Sequence, residues 1–145
     1  MAAIGKIIDS NPVVGRRTTN QILDTWKDGI FLKKEDITRN IKGLRSPQIG
    51  AVYAVLSHWE ISSDPATIVM PTGTGKTEVM LSLLIAATCS KTMIIVPTDA
   101  LRTQISNKVA SLGLLSNPQF GLIKETVLKP IVGVMSHRPC SAEEA

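Results

Sequence analysis

The segment Pro71-Thr72-Gly73-Thr74-Gly75-Lys76-Thr77 constrains what this chain can fold into more than any other stretch. It stands between a short, partly β-branched apolar run, Ala66-Thr67-Ile68-Val69-Met70, and a strongly apolar helical stretch from Glu78 to Cys89. The run predicts a buried strand. A loop between a strand and a helix can aim several backbone N–H groups at one point. Glycines let the chain wrap closely around phosphate oxygens, and the helix N-terminus adds partial positive charge. In such a loop Lys76 reaches the β- and γ-phosphates of a nucleotide, and the Thr77 hydroxyl binds the accompanying Mg²⁺. The competing reading is a plain turn with Lys76 as a solvated charge, and a lone glycine pair would favour it. Two glycines, a lysine and a threonine in this order, between strand and helix, favour nucleotide binding.

The surrounding pattern extends the alternation. Met93-Ile94-Ile95-Val96 predicts a second buried strand. Pro97-Thr98 leads into a helix with Leu101, Ile105, Val109 and Leu112 on one face, closed near Gly113. Ile131 to Met135 predicts a third strand. Strand, helix, strand, helix, strand is the order of an α/β fold built on a parallel sheet flanked by helices. Upstream, Ser46-Pro47 is a helix start, followed at helical spacing by Ile49, Val52, Tyr53 and Leu56. Ser62-Ser63-Asp64-Pro65 is a turn. Residues 1–44 predict a small helical N-terminal segment: Thr19 to Lys27, with Ile22, Leu23 and Trp26 on one face, and a weaker helix over Glu35 to Ile41. Ser141-Ala142-Glu143-Glu144 has the form of a capping box at a helix start. With one residue after it, the expectation is a chain cut inside a domain, residues 45–145 forming the truncated part.

Met70 stands where the strict phosphate-loop motif has glycine, and this departure narrows the class. Thr72-Gly73-Thr74-Gly75-Lys76-Thr77 resembles motif I of superfamily-two helicases, where that first position is often another residue. Ile95-Val96-Pro97-Thr98-Asp99-Ala100-Leu101-Arg102-Thr103-Gln104 resembles motif Ia of the same helicases. Leu44-Arg45-Ser46-Pro47-Gln48 resembles the Leu-Arg-x-x-Gln segment that precedes motif I in one branch. That branch holds type III restriction-enzyme motor subunits, nucleotide-excision-repair helicases and similar DNA translocases. The resemblance covers about Leu44 to Gln104. It implies a RecA-like ATP-binding lobe, ATP and Mg²⁺ as cofactors, and a nucleic-acid partner, DNA ahead of RNA. It also implies a second RecA-like lobe in the intact protein. By the same resemblance Gln48 reads adenine, Thr72 to Thr77 hold the phosphates, and Pro97, Thr98 and Arg102 meet the nucleic-acid backbone. The chemistry agrees: a side-chain amide can donate to and accept from adenine at once. Free N–H groups at a helix start, a hydroxyl and a guanidinium suit phosphate. Phe31 is a candidate for stacking on the base, with a plain core position as the favoured alternative.

Composition is compatible with this and excludes other classes. Hydrophobic residues make up 43% and aromatic residues 3% of the 145 residues, so the chain can bury a core and that core must be mostly aliphatic. The net charge of +4 suits polyanionic partners, but the basic residues are scattered, with no block of like charge. Cys89 and Cys140 have neither metal-site nor disulfide-framework spacing. His58 and His137 have no partners at useful spacing. The N-terminus lacks the long apolar core of a secretory signal, and the stretch from Leu83 to Ala87 is far short of a membrane span. An intracellular setting, cytoplasm or nucleus or nucleoid, is therefore expected. Neither an acidic pair after a later strand nor an arginine finger is found, so no catalytic set is complete in this sequence. The alternatives are a phosphate-loop enzyme of another class, such as a small-molecule kinase, and a non-catalytic nucleotide-binding protein.

Overall fold

The computed structural model of the chain describes residues 4–12 and 17–135. Its elements are β1 (Ile4–Ile8), α1 (Thr19–Trp26), α2 (Ser46–Ile61), α3 (Lys76–Ala86), α4 (Asp99–Ser111), a 3-10 turn (Gly113–Ser116) and β2 (Val132–Met135). The helix start at Ser141, His137 and Cys140 lie outside the described residues.

The helices form where caps and apolar spacing place them. Thr18 caps α1: its hydroxyl accepts the Gln21 N–H at 3.3 Å, and the Gln21 side chain accepts the Thr18 N–H at 2.8 Å. Ile22 and Trp26, four residues apart, turn the same face inward and are buried. α3 is apolar nearly all round, with Val79, Leu81, Leu83, Leu84 and Ile85 buried, and so becomes the central helix. Thr98 caps α4, which ends where Leu112 turns left-handed ahead of Gly113. The main core joins Ile22, Trp26 and Leu44 to Leu81, Ile85 and Leu112. Only Trp26 among these is aromatic. Because this cluster draws on both sides of residue 44, the N-terminal segment is packed into the same core as α3 and α4.

The sheet departs from expectation. Ala66 to Met70 and Met93 to Val96 run without sheet pairing, and the only sheet among the described residues is the two-stranded, antiparallel β1–β2. A gap separates the two unpaired runs. Ile68 and Met70 of the first and Ile94 of the second line one apolar cavity of about 290 Å³, together with Trp59, Val79 and Leu83. They share a space and no backbone hydrogen bonds. Val69 and Ile95 consequently stand 90% and 86% exposed, where a buried strand was expected.

The expected third strand does form, as β2, but its partner is Ile4–Ile8, with Ile8 opposite Val132 and Ile7 opposite Gly133. Side chains reinforce that pairing. The Asn11 amide donates to Lys129 O at 2.9 Å and accepts the Lys129 N–H at 2.7 Å, as a neighbouring strand residue would. Trp26 Nε1 donates to Leu128 O at 2.8 Å, and Thr25 Oγ1 accepts the Leu128 N–H at 3.0 Å.

The expected helix over Glu35 to Ile41 is instead a tight turn. The Asp36 carboxylate accepts from the Thr38 hydroxyl at 2.6 Å, the Thr38 N–H at 3.0 Å and the Arg39 N–H at 3.2 Å. An aspartate that collects nearby donors in this way competes directly with helical bonding. Those bonds, the Thr38 hydroxyl first, hold its carboxyl below the usual carboxylate range. Among the described residues, no helix is long and apolar enough to cross a membrane.

Candidate functional site

The run from Pro71 to Gly75 leads directly into the first turn of α3, which begins at Lys76. Gly73 and Gly75 have φ of +79° and +86°, a left-handed backbone that costs an L-residue about 1–2 kcal/mol. Space separates their roles. A Cβ on Gly73 would meet nothing within 4 Å. One on Gly75 would run into Gln48 Nε2 and lie 2.9 Å from a Glu78 carboxylate oxygen. Gly73 therefore serves the turn alone, whereas Gly75 also lets neighbouring side chains close against the loop. We expect Gly75→Ala to lose phosphate binding at least tenfold, from strain and displaced neighbours together. Calorimetric titration against Gly73→Ala, which adds strain without a clash, checks this; equal losses would remove the packing role.

The loop gathers donors. Pro71 O accepts from the Thr74 hydroxyl at 2.6 Å, from Lys76 Nζ at 3.1 Å and from the Thr74 N–H at 3.4 Å. The Lys76 side chain is exposed and has no carboxylate within ion-pair distance among the described residues. Its ammonium thus rests on a carbonyl that a phosphate oxygen can replace. Val79 N–H makes the first helical bond, to Gly75 O at 3.3 Å. The N–H groups of Lys76, Thr77 and Glu78 precede it and have no partner within the helix. They and the helix dipole favour an anion at this end. The Thr77 hydroxyl is half-buried in the same turn, and Thr72 is exposed at the loop's entry.

Gln48 does lie at the loop, 27 residues away in sequence. It is only 3% exposed, and both ends of its amide are engaged. Oε1 accepts the Arg45 N–H at 2.8 Å, which makes Arg45 rather than Ser46 the N-cap of α2. Nε2 donates to Gly75 O at 3.3 Å. Beside it, Arg45 Nη2 donates to Gly73 O at 3.1 Å. Arg45 is the site residue that sequence reasoning missed, although it stands in the Leu44-to-Gln48 segment singled out there. Phe31 is 48% exposed, so the core position favoured for it is not the one it takes.

Pro97, Thr98 and Arg102 form a second locus at the start of α4. Thr98 Oγ1 accepts the Leu101 N–H at 3.3 Å, which leaves its own proton free to donate. Arg102 Nη2 pairs with Asp99 at 3.1 Å, its side chain 38% exposed. Its guanidinium has further donors beyond that pair. No hydrogen bond between described residues joins this locus to the loop. Cys89 lines the apolar cavity near Lys76, and burial pushes its thiol up, away from reactivity. Among the described residues, no group of three or more His, Cys, Asp or Glu side chains could hold a metal ion.

A family profile described as "Type III restriction enzyme, res subunit" matches residues 41–128, from just before Leu44 past the end of α4. No curated protein and no solved structure matches the chain.

Proposed function

This chain belongs to the type III restriction enzyme res-subunit family, a helicase-like ATP-binding domain family, and on that premise we propose that it is the ATP-binding lobe of a nucleic-acid motor. The observation that carries the proposal is the loop itself. Two left-handed glycines, an ammonium resting on a carbonyl and the free N–H groups of α3 converge at one helix end. That set fits a polyphosphate. Lys76 would take the terminal phosphates, the Lys76 and Thr77 N–H groups the others, joined by the Thr74 N–H once it leaves Pro71 O, and the Thr77 hydroxyl the Mg²⁺ that arrives with ATP. Bound ATP supplies the energy of phosphoryl transfer, and this chain's residues hold and orient it. We assign no catalytic residue within the chain; the acidic pair and the arginine finger belong to the remainder of the motor, including a second lobe. Gln48 stands where an adenine reader would, although its amide must leave a present partner to act as one.

We assign the nucleic-acid contact to Pro97, Thr98 and Arg102, and DNA ahead of RNA from the family's printed description. Titration of the chain with Mg·ADP should give saturable binding, with no heat from Mg²⁺ alone. Binding of single-stranded DNA should weaken linearly in log[salt], and Arg102→Ala should reduce that slope by about 0.7, one phosphate contact on a single strand. An unchanged slope would take Arg102 out of the interface, and tighter binding of RNA than DNA at equal salt would reverse the assigned partner.

A further inference from the structure

We propose that Arg45 and Gln48 are positioning residues for the phosphate loop, aiming its backbone donors whatever base the nucleotide carries; this rests on the loop being the phosphate site. In a planar trans peptide, the carbonyl of one residue and the N–H of the next point in opposite directions. Holding the Gly73 carbonyl towards α2 therefore turns the Thr74 N–H away from α2, to the side of Pro71 O, on which it rests at 3.4 Å until an anion replaces that carbonyl. Holding the Gly75 carbonyl likewise turns the Lys76 N–H away from α2. The two carbonyls held are those of the two left-handed glycines. Glycine backbones rotate most freely, and besides these side chains only the Val79 N–H, at 3.3 Å, holds the Gly75 carbonyl among the described residues.

The brace is itself held firm. Gln48 is buried, and its Oε1 is fixed by the Arg45 N–H, so a single amide ties the first turn of α2 to the first turn of α3. α2 and α3 also pack along Val52, Val55, Val79 and Leu83, which gives the brace a rigid base. A hydrogen bond in so dry a place is hard for water to replace. Gln48 could then read a base only by giving up a loop carbonyl, which would couple base contact to loop geometry.

Gln48→Glu separates the brace from the helix cap. Glutamate keeps an oxygen for the Arg45 N–H but cannot donate to Gly75 O. In the full chain, Gln48→Glu and Arg45→Ala should each weaken tripolyphosphate, ADP and GDP by a common factor of about five to ten. Arg45→Lys, which keeps one donor, should recover part of the loss. In the ligand-free chain, the Thr74 and Lys76 amide resonances should shift in both weakened variants. A loss confined to ADP would make Gln48 a base reader and overturn the proposal. So would wild-type affinity in Gln48→Glu beside a loss in Gln48→Ala, because the helix cap would then be the whole role. If the wild type binds no polyphosphate, the phosphate-site reading fails, and unmoved Thr74 and Lys76 amides would then separately refute the brace.

Discussion

Lys76→Ala should weaken Mg·ATP about 10- to 100-fold while leaving the thermal midpoint of the chain within a degree or two. The binding loss follows from removing the ammonium assigned to the terminal phosphates, since a charge-assisted contact contributes about 1.5–3 kcal/mol. The small effect on stability follows from what Lys76 touches in the free chain. Its only hydrogen-bond partner among the described residues is the Pro71 carbonyl, at an exposed position where water can take its place. Lys76→Arg should not rescue binding, because a planar fork does not fill the role of a compact ammonium. Thr77→Ala, measured alongside, should lose affinity with Mg²⁺ present and little without it. Equal affinity of wild type and Lys76→Ala by calorimetry would remove the loop as the phosphate site.

The largest loss of stability is expected at Trp26, far from that loop. Trp26 is 3% exposed, sits in the main core, and donates its indole N–H to Leu128 O at 2.8 Å. Trp26→Ala removes the core's largest side chain and leaves the Leu128 carbonyl without its donor. The cavity and burial terms together cost about 3–5 kcal/mol. A domain is stable by only about 5–15 kcal/mol, so much of the margin goes. Trp26→Phe keeps most of the apolar volume and loses the hydrogen bond, for about 1–3 kcal/mol. Urea unfolding followed to the midpoint, with the slope unchanged, reads both values. Equal costs for the two variants would mean that the ring's volume contributes nothing beyond the indole N–H.

Helices α1 to α4 and the strand-free glycine turn before α3 were legible because both are written in local spacing. Ser46-Pro47 and Pro97-Thr98 mark helix starts within three or four residues, although the cap of α2 is Arg45 and not Ser46. Gly73 to Thr77 is a contiguous pattern. What failed depended on distant partners. Ile131 to Met135 reads as a strand from its own residues, but nothing in them shows that Ile4 to Ile8 is its neighbour. Ala66 to Met70 and Met93 to Val96 have the composition of buried strands and still lack the alongside chain that makes one. Asp36 shows the opposite failure: the signal was local, and its turn-forming side chain overrode a weak helical pattern. At the site, Gln48 lies against the glycine-rich loop, bonded to Gly75 O. Its bond to Gly75 spans a separation that no spacing rule covers.

The clamp of Asn11 on Lys129 joins residues 118 apart. Closing so long a loop costs about 4 kcal/mol of chain entropy before any contact forms. One bidentate amide and a short ribbon cannot offset that alone, so this pairing must wait for a core that has already brought its two sides together. Trp26 and Thr25, bonded to Leu128 next to Lys129, are the part of that core nearest the clamp. The expected order of assembly is helices and core first, ribbon last. On opening, the ribbon is accordingly expected to part before α3 does.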